Sequence, residues 1–310
     1  MATTLSPHLS TTAQVNRLPN FFIVGAAKAG TTALHHYLQQ HPAIYMTPGK
    51  ETNFFAYEGQ QLNFRGPGDE AVADFSITNL ADYQAQFQGV TTETAIGEAC
   101  PLYLYDRQVA QKIQHHCPTA KIIIILREPV ARAYANYLHL VRDGRETTLD
   151  FAQALAQEPE RTEANWEWFW HYQQAGYYAE QVRRYYDLFP ANQIRVYLYE
   201  DLRRDAQGLM KDIFTFLGVD AQFLPDFSER PNKSGMPKNP WLHGLLTKPN
   251  VLKTLVKPLL PQKLRQSIQH SNLITPPLDP VLKQQLQTQY REDILACQAL
   301  IKRDLTSWLP

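Results

Sequence analysis

A three-layer α/β fold, with a mainly parallel central sheet flanked by helices, is what the sequence predicts, and three features predict it. Short apolar runs alternate with segments of helical periodicity along the chain. One of them, Lys121-Ile-Ile-Ile-Ile-Leu126, is unbroken and β-branched, the pattern of a strand buried on both faces of a parallel sheet. Another, Phe21 to Val24, leads through a glycine-containing turn straight into helical spacing at Ala33, Leu34, Tyr37 and Leu38. Ligands of such sheets sit beyond the carboxyl ends of the strands, so the turns that follow the strands are where function is to be sought.

Residues 1–19 are Ser/Thr-rich and polar, with no basic leader followed by an apolar stretch, and read as a loose tail. After the first strand, turn and helix, Ala95 to Glu98 reads as a strand and Asp106 to His116 as a surface helix. The strand Lys121 to Leu126 follows, then a helix from Val130 to Val141. Tyr177 to Leu188 is helical, Gln193 to Tyr199 a strand, and Ala206 to Leu217 a helix stopped by Gly218. Ten of the 21 prolines fall between Pro225 and Pro280, so that stretch is expected to be irregular or built of short helices. From Pro280 to Trp308 a helical pattern closes the chain, with Leu282, Leu286, Tyr290, Ile294 and Ile301 apolar. The expected organisation is a tail over 1–19, one domain over 20–245, and a segment 246–310 that packs on or extends that domain.

Thirty Lys+Arg balance 30 Asp+Glu, and 44% of the residues are hydrophobic. That balance argues against nucleic acid or an anionic membrane as a partner held by bulk charge, and against a disordered chain. Cys100, Cys117 and Cys297 are scattered and unpaired in sequence, which suggests neither a disulfide framework nor a Cys-rich zinc site. With no apolar run near the ~18 residues of a membrane span, a cytoplasmic protein without a transmembrane segment is expected.

The turn Gly25-Ala-Ala-Lys-Ala-Gly-Thr-Thr32 has the form GxxxxGTT, near the phosphate loop GxxxxGK[ST]. Thr31 stands where a nucleoside triphosphatase carries its lysine, and Lys28 lies inside the loop instead. A triphosphate–magnesium site is therefore poorly supported, although a single phosphate can still be cradled by the backbone and hydroxyls.

Phe22 to Leu34, FIVGAAKAGTTAL, resembles the 5′-phosphosulfate loop FIVGxxKxGTTxL of sulfotransferases that use 3′-phosphoadenosine 5′-phosphosulfate (PAPS). Leu126 to Tyr137, LREPVARAYANY, is similar to that family's 3′-phosphate element LRxPxxRxxSxY. The resemblance runs over roughly residues 20–240 and implies a P-loop-like fold. It also implies a nucleotide site made by Ala27, Lys28, Ala29, Gly30, Thr31, Thr32, Arg127 and position 135. Ala135 replaces the family's usual serine, so one phosphate bond is missing or comes from a neighbour such as Asn136. Arg132, four residues after Glu128, is expected to form an i,i+4 ion pair. In Pro231-Asn-Lys-Ser-Gly235, similar to a late family element that closes over the nucleotide, Lys233 and Ser234 are candidate contacts to the 3′-phosphate.

Lys50-Glu51-Thr-Asn-Phe-Phe55 resembles the glycan-type branch, including heparan sulfotransferases and many bacterial relatives, in which an acidic residue before an aromatic pair is the base. Glu51 is that candidate. Gly97-Glu-Ala-Cys-Pro-Leu-Tyr103 resembles the strand end facing donor and acceptor; Ala99 takes the place of a lysine found in some heparan enzymes. Glu98 is open as an auxiliary acid or base and as half of an ion pair. Trp166, Trp168, Phe169, Trp170 and Tyr172 read as a helical aromatic cluster suited first to core packing and second to stacking on a sugar.

The resemblance thus implies in-line sulfuryl transfer from PAPS, with PAP as product, to a hydroxyl, ahead of an amine, of a carbohydrate, lipid or secondary metabolite. Lys28 would stabilise the leaving phosphate and Glu51 would act as base, with no metal required. A P-loop kinase or NTPase and a catalytically silent nucleotide-binding protein are the alternatives. Zero net charge favours a small, lipid-linked or weakly charged acceptor over a long polyanion.

Overall fold

The structure, a computed structural model, describes residues 17–228, 236–237 and 273–310. Its centre is a five-stranded parallel sheet formed by β1 (Phe21–Gly25), β2 (Ile44–Met46), β3 (Ala95–Ala99), β4 (Lys121–Leu126) and β5 (Ile194–Leu198), in the order β2-β3-β1-β4-β5. β1 and β4 carry the apolar runs seen in the sequence, and Phe21 to Val24 and Ile122 to Leu126 are completely buried. Sequence reading missed β2 because three residues are too short to show a period. Gly97 in β3 faces the ring of Phe21, whose Cζ lies 2.0 Å from where a Cβ would stand. Strand β3 can therefore lie against β1 only with glycine there.

The helix Pro129–Arg142 starts with proline at its first position and with Glu128 as its cap, the carboxylate accepting from the N–H groups of Val130 (3.2 Å) and Ala131 (2.5 Å). This corrects the expected Glu128–Arg132 pair. Arg132 is fully buried, and its guanidinium donates to the carbonyl of Tyr172. The helix Ala206–Leu217 ends, as expected, at Gly218 in the left-handed region (φ 81°).

The last helix, Pro280–Ile301, packs Leu286, Tyr290, Ile294, Cys297 and Ile301 into the main core. Its Asp293 accepts from the backbone N–H groups of Tyr178 (2.7 Å) and Ala179 (3.1 Å), capping the helix Tyr178–Leu188 from a distant part of the chain. It stops earlier than its periodicity suggested, at Lys302 (φ 53°), and a 3₁₀ turn, Thr306–Trp308, completes the packing.

The aromatic cluster is not on an α-helix. Trp168–Trp170 is a 3₁₀ turn in a crossing loop, held by two buried carboxylates. Asp69 accepts from the N–H groups of Gly66 (2.8 Å) and Glu167 (2.9 Å) and from the Trp170 indole (2.9 Å). Glu146 pairs with Arg161 (2.6 Å) and accepts from the Tyr172 hydroxyl (2.8 Å), while Trp166 and Trp170 lie against the guanidinium. Arg161→Met leaves the Glu146 charge buried and uncompensated. It is expected to cost about 3–5 kcal/mol in urea unfolding; a loss below ~0.5 kcal/mol would show the pair to be energetically idle.

Candidate active site

The turn after β1 is built from backbone conformations that place Lys28 inward. Gly25, Lys28 and Gly30 have φ of 153°, 62° and 106°, and the Ala26 N–H is tied to the Ile125 carbonyl of β4 at 2.7 Å. The φ of Gly30 alone calls for glycine there, and a Cβ would also push the tip of Leu202, whose Cδ2 would lie 2.9 Å away. The helix Thr31–Leu38 starts there with no side chain capping it; the Ala33 and Leu34 N–H groups both donate to the Gly30 carbonyl (3.0 and 3.1 Å), which leaves Thr31 and Thr32 as the helix-start amides without a backbone acceptor among the described residues. Thr31 is buried and Thr32 half-buried.

Lys28 is where the two sequence motifs meet. Its carbonyl accepts from Arg127 Nη1 at 2.9 Å. The guanidinium of Arg127 lies over the Tyr199 ring, 4.8 Å from its centroid, and the Arg127 carbonyl accepts from the Tyr178 hydroxyl at 2.9 Å. The Lys28 ammonium lies 2.6 Å from His139 Nδ1, while His139 Nε2 lies 3.0 Å from Asp143 Oδ2. A carboxylate can only accept, so Asp143 fixes the proton on Nε2 and leaves Nδ1 to receive from Lys28. The result is a directed chain Lys28–His139–Asp143, closed by Arg142 Nε on Asp143 at 2.8 Å.

Burial is the main reason that the Lys28 pKa falls from 10.5 to about 7. Arg142 lowers it further, Glu51 and Asp143 raise it, and Arg127 lowers it again. Burial also lowers the His139 pKa, in keeping with a neutral ring that accepts from lysine. Burial works against the Asp143 charge, but the hydrogen bonds from His139 and from the adjacent Arg142 hold its carboxyl well below the usual range.

Glu51 sits on a loop at the carboxyl end of β3, itself in the left-handed region (φ 69°). Its N–H donates to the Ala99 carbonyl at 3.1 Å. Its carboxylate is paired with Lys50, and the side chain is 38% exposed. Among the described residues Glu98 has no cationic partner, contrary to one of the two readings of the sequence. It is fully buried and accepts from the hydroxyls of Thr52, Tyr83 (2.7 Å) and Tyr103 (2.8 Å).

Not every expected contact assembles. Ala135 is buried, with a methyl group where a hydroxyl was sought. The amide of Asn136, the neighbour considered in its stead, donates one hydrogen bond to the Phe169 carbonyl at 2.6 Å. Lys233 and Ser234 lie outside the described residues. His139 and Asp143 were missed, although a signal existed: Ala135, His139 and Asp143 are spaced four apart, on one face of a helix that begins beside Arg127. A cleft of about 530 Å³ between Tyr134, Phe151, Pro276 and Leu282 contains none of these residues, so the site is defined by its chemistry and not by cavity size.

The sheet order and the lysine-bearing loop define a P-loop-like α/β protein. Residues 19–223 match the Sulfotransferase family. A sulfotransferase from Alicyclobacillus acidocaldarius superposes with a TM-score of 0.76 at 37% identity, over 94% of this chain and 99% of that one. The chain belongs to the sulfotransferase family. It is also 29% identical, over 66% of its length, to a bifunctional heparan sulfate N-deacetylase/N-sulfotransferase 2 of Bos taurus, and spans 22% of that protein. A membrane-associated sulfotransferase kil1 of Dictyostelium discoideum is 31% identical over 39% of the chain, again 22% of the relative. No described helix is long and apolar enough to cross a membrane.

Proposed function

We propose that the protein transfers the sulfuryl group of PAPS to a hydroxyl, ahead of an amine, of a glycan, lipid-linked sugar or related small acceptor. The observation that carries this reading is the junction at Lys28, whose carbonyl holds Arg127 and whose ammonium meets His139. The groups suit a nucleotide with phosphates at both ends: a fork-shaped guanidinium for one, and a lysine with the Thr31 and Thr32 amides of a helix start for the other. Lys28 stabilises the charge that develops on the leaving phosphate as the sulfur–oxygen bond breaks. His139 and Asp143 orient that lysine and share its proton. Glu51 takes the proton of the attacking acceptor.

The heparan N-sulfotransferase relatives support a glycan acceptor and make a glucosamine nitrogen the competing target. The test uses labelled PAPS with a panel of neutral oligosaccharides, oligosaccharides bearing free glucosamine, lipid-linked sugars and phenols, alongside PAP binding by calorimetry. Transfer to at least one sugar is expected; absence of PAP binding, or magnesium-dependent ATP turnover in its place, overturns the proposal. Arg127→Ala is expected to weaken PAP binding about 10- to 100-fold, the scale of hydrogen bonds to a charged group. Unchanged affinity would remove Arg127 from the nucleotide site.

A further inference from the structure

We infer that Glu98, a fully buried carboxylate with no cation beside it among the described residues, is the positioning residue that holds Glu51 in its working place. The inference rests on the reading of Glu51 as base.

Three consecutive loop residues are fastened to three consecutive residues at the end of β3. The Glu51 N–H donates to the Ala99 carbonyl at 3.1 Å. The Thr52 hydroxyl donates to Glu98 Oε1. The Cys100 thiol donates to Asn53 Oδ1 at 3.1 Å. Of the three loop residues, Glu51 and Asn53 adopt φ of 69° and 58°, a region open to asparagine but uncommon for glutamate, which enters it when its surroundings impose it. Thr52, between them, has its side chain 3% exposed and spends its hydroxyl on Glu98. The Thr52 carbonyl accepts from the Ile77 N–H at 2.9 Å, and the Phe54 N–H reaches the Thr52 hydroxyl at 3.3 Å.

Glu98 anchors this arrangement on its other side as well. Tyr103 donates to the same oxygen as Thr52, and Tyr83 to the second oxygen. Tyr83 stacks on Phe54 with ring centroids 4.2 Å apart, and Tyr103 packs edge-on against Phe55 at 5.6 Å. The aromatic pair that follows Glu51 is thus gripped by the same two tyrosines that Glu98 orients. A carboxylate taken out of water without a counter-ion is costly. Here its hydroxyl donors hold the loop in a conformation that it does not favour alone, and the consequence falls on the residue at the loop's exposed end, Glu51.

The experiment measures kcat at saturating PAPS with the best acceptor of the panel above, together with PAP affinity. Glu98→Ala is expected to lower kcat at least ~10-fold while PAP affinity changes less than ~2-fold, and Glu98→Gln, which keeps an acceptor oxygen, to recover kcat to within ~3-fold of wild type. Adding Glu98→Ala to Glu51→Gln should cost less than ~2-fold beyond Glu51→Gln alone, because a residue that acts only through Glu51 has nothing left to position. Should Glu98→Ala fail to fold, Thr52→Val removes the same contact and is expected to show the same split. Wild-type kcat in Glu98→Ala or Thr52→Val, or losses that multiply in the double variant, overturn the positioning role and leave Glu51 as base intact. Wild-type turnover by Glu51→Gln overturns both.

Discussion

Lys28→Met is expected to lower the rate of sulfuryl transfer by about 10²–10³-fold, the cost of removing one preorganised charge from a developing oxyanion, while the protein becomes more stable. Both effects come from the same burial. In the folded protein the lysine pKa is lowered from 10.5 to about 7, so below pH 7 a charged ammonium is held in a poor environment at full cost. Between pH 7 and 10.5 the folded lysine is neutral while the unfolded one stays charged, and the cost shrinks as pH rises, by up to about 1.4 kcal/mol per pH unit. The gain in melting temperature of Lys28→Met should therefore be largest at or below pH 7 and fade towards pH 10. The same lysine predicts that PAP binds with proton uptake near pH 8, because a bound phosphate restores the ammonium. Calorimetry in buffers of different ionisation enthalpy reads this directly. A Lys28→Met protein that is less stable at pH 6, or wild-type binding without proton uptake, would contradict the assignment.

Glu51→Gln is expected to lower kcat by about 10²–10⁴-fold, the range for loss of a general base, with PAP affinity nearly unchanged. The two predictions separate the halves of the reaction. In the proposed reaction Lys28 acts on the leaving side and should affect nucleotide affinity and rate together. Glu51, as the proposed base, acts on the acceptor side and should affect rate alone. Loss of PAP binding in Glu51→Gln would place this residue with the nucleotide and leave the base unassigned.

Where periodicity or composition imposes structure, the sequence was legible. The isoleucine run of β4, the strand–turn–helix at Phe21, and Gly218 as a helix stop all carry their physical reason in a few adjacent residues. Strand β2 was not legible, because three residues bury too little to leave a pattern. The pair expected between Glu128 and Arg132 had the right spacing, but a free helix N-terminus competes for the same carboxylate and is nearer. Among the candidate site residues, Lys28, Glu51 and Arg127 stand out in the sequence because a loop or a strand end marks them. His139 was not, since its role depends on a lysine 111 positions earlier in the chain. Glu98 was noticed without its partners, because Tyr83 and Tyr103 come together with Thr52 only through the packing of separate elements.

The cap that Asp293 places on Tyr178 has a consequence for how the protein is made. The Tyr178 hydroxyl supports the Arg127 carbonyl, yet the carboxylate that fixes the Tyr178 backbone is translated 115 residues later. At about 5–20 residues per second that interval lasts roughly 6–23 s. Throughout it the nascent chain already carries the whole lysine loop and β4, but the helix beside Arg127 lacks its cap. Competence to hold a nucleotide should therefore arrive with the last helix, as a late event in biogenesis, and a ribosome-stalled chain ending before Pro280 should bind PAP poorly although every residue of the loop is present.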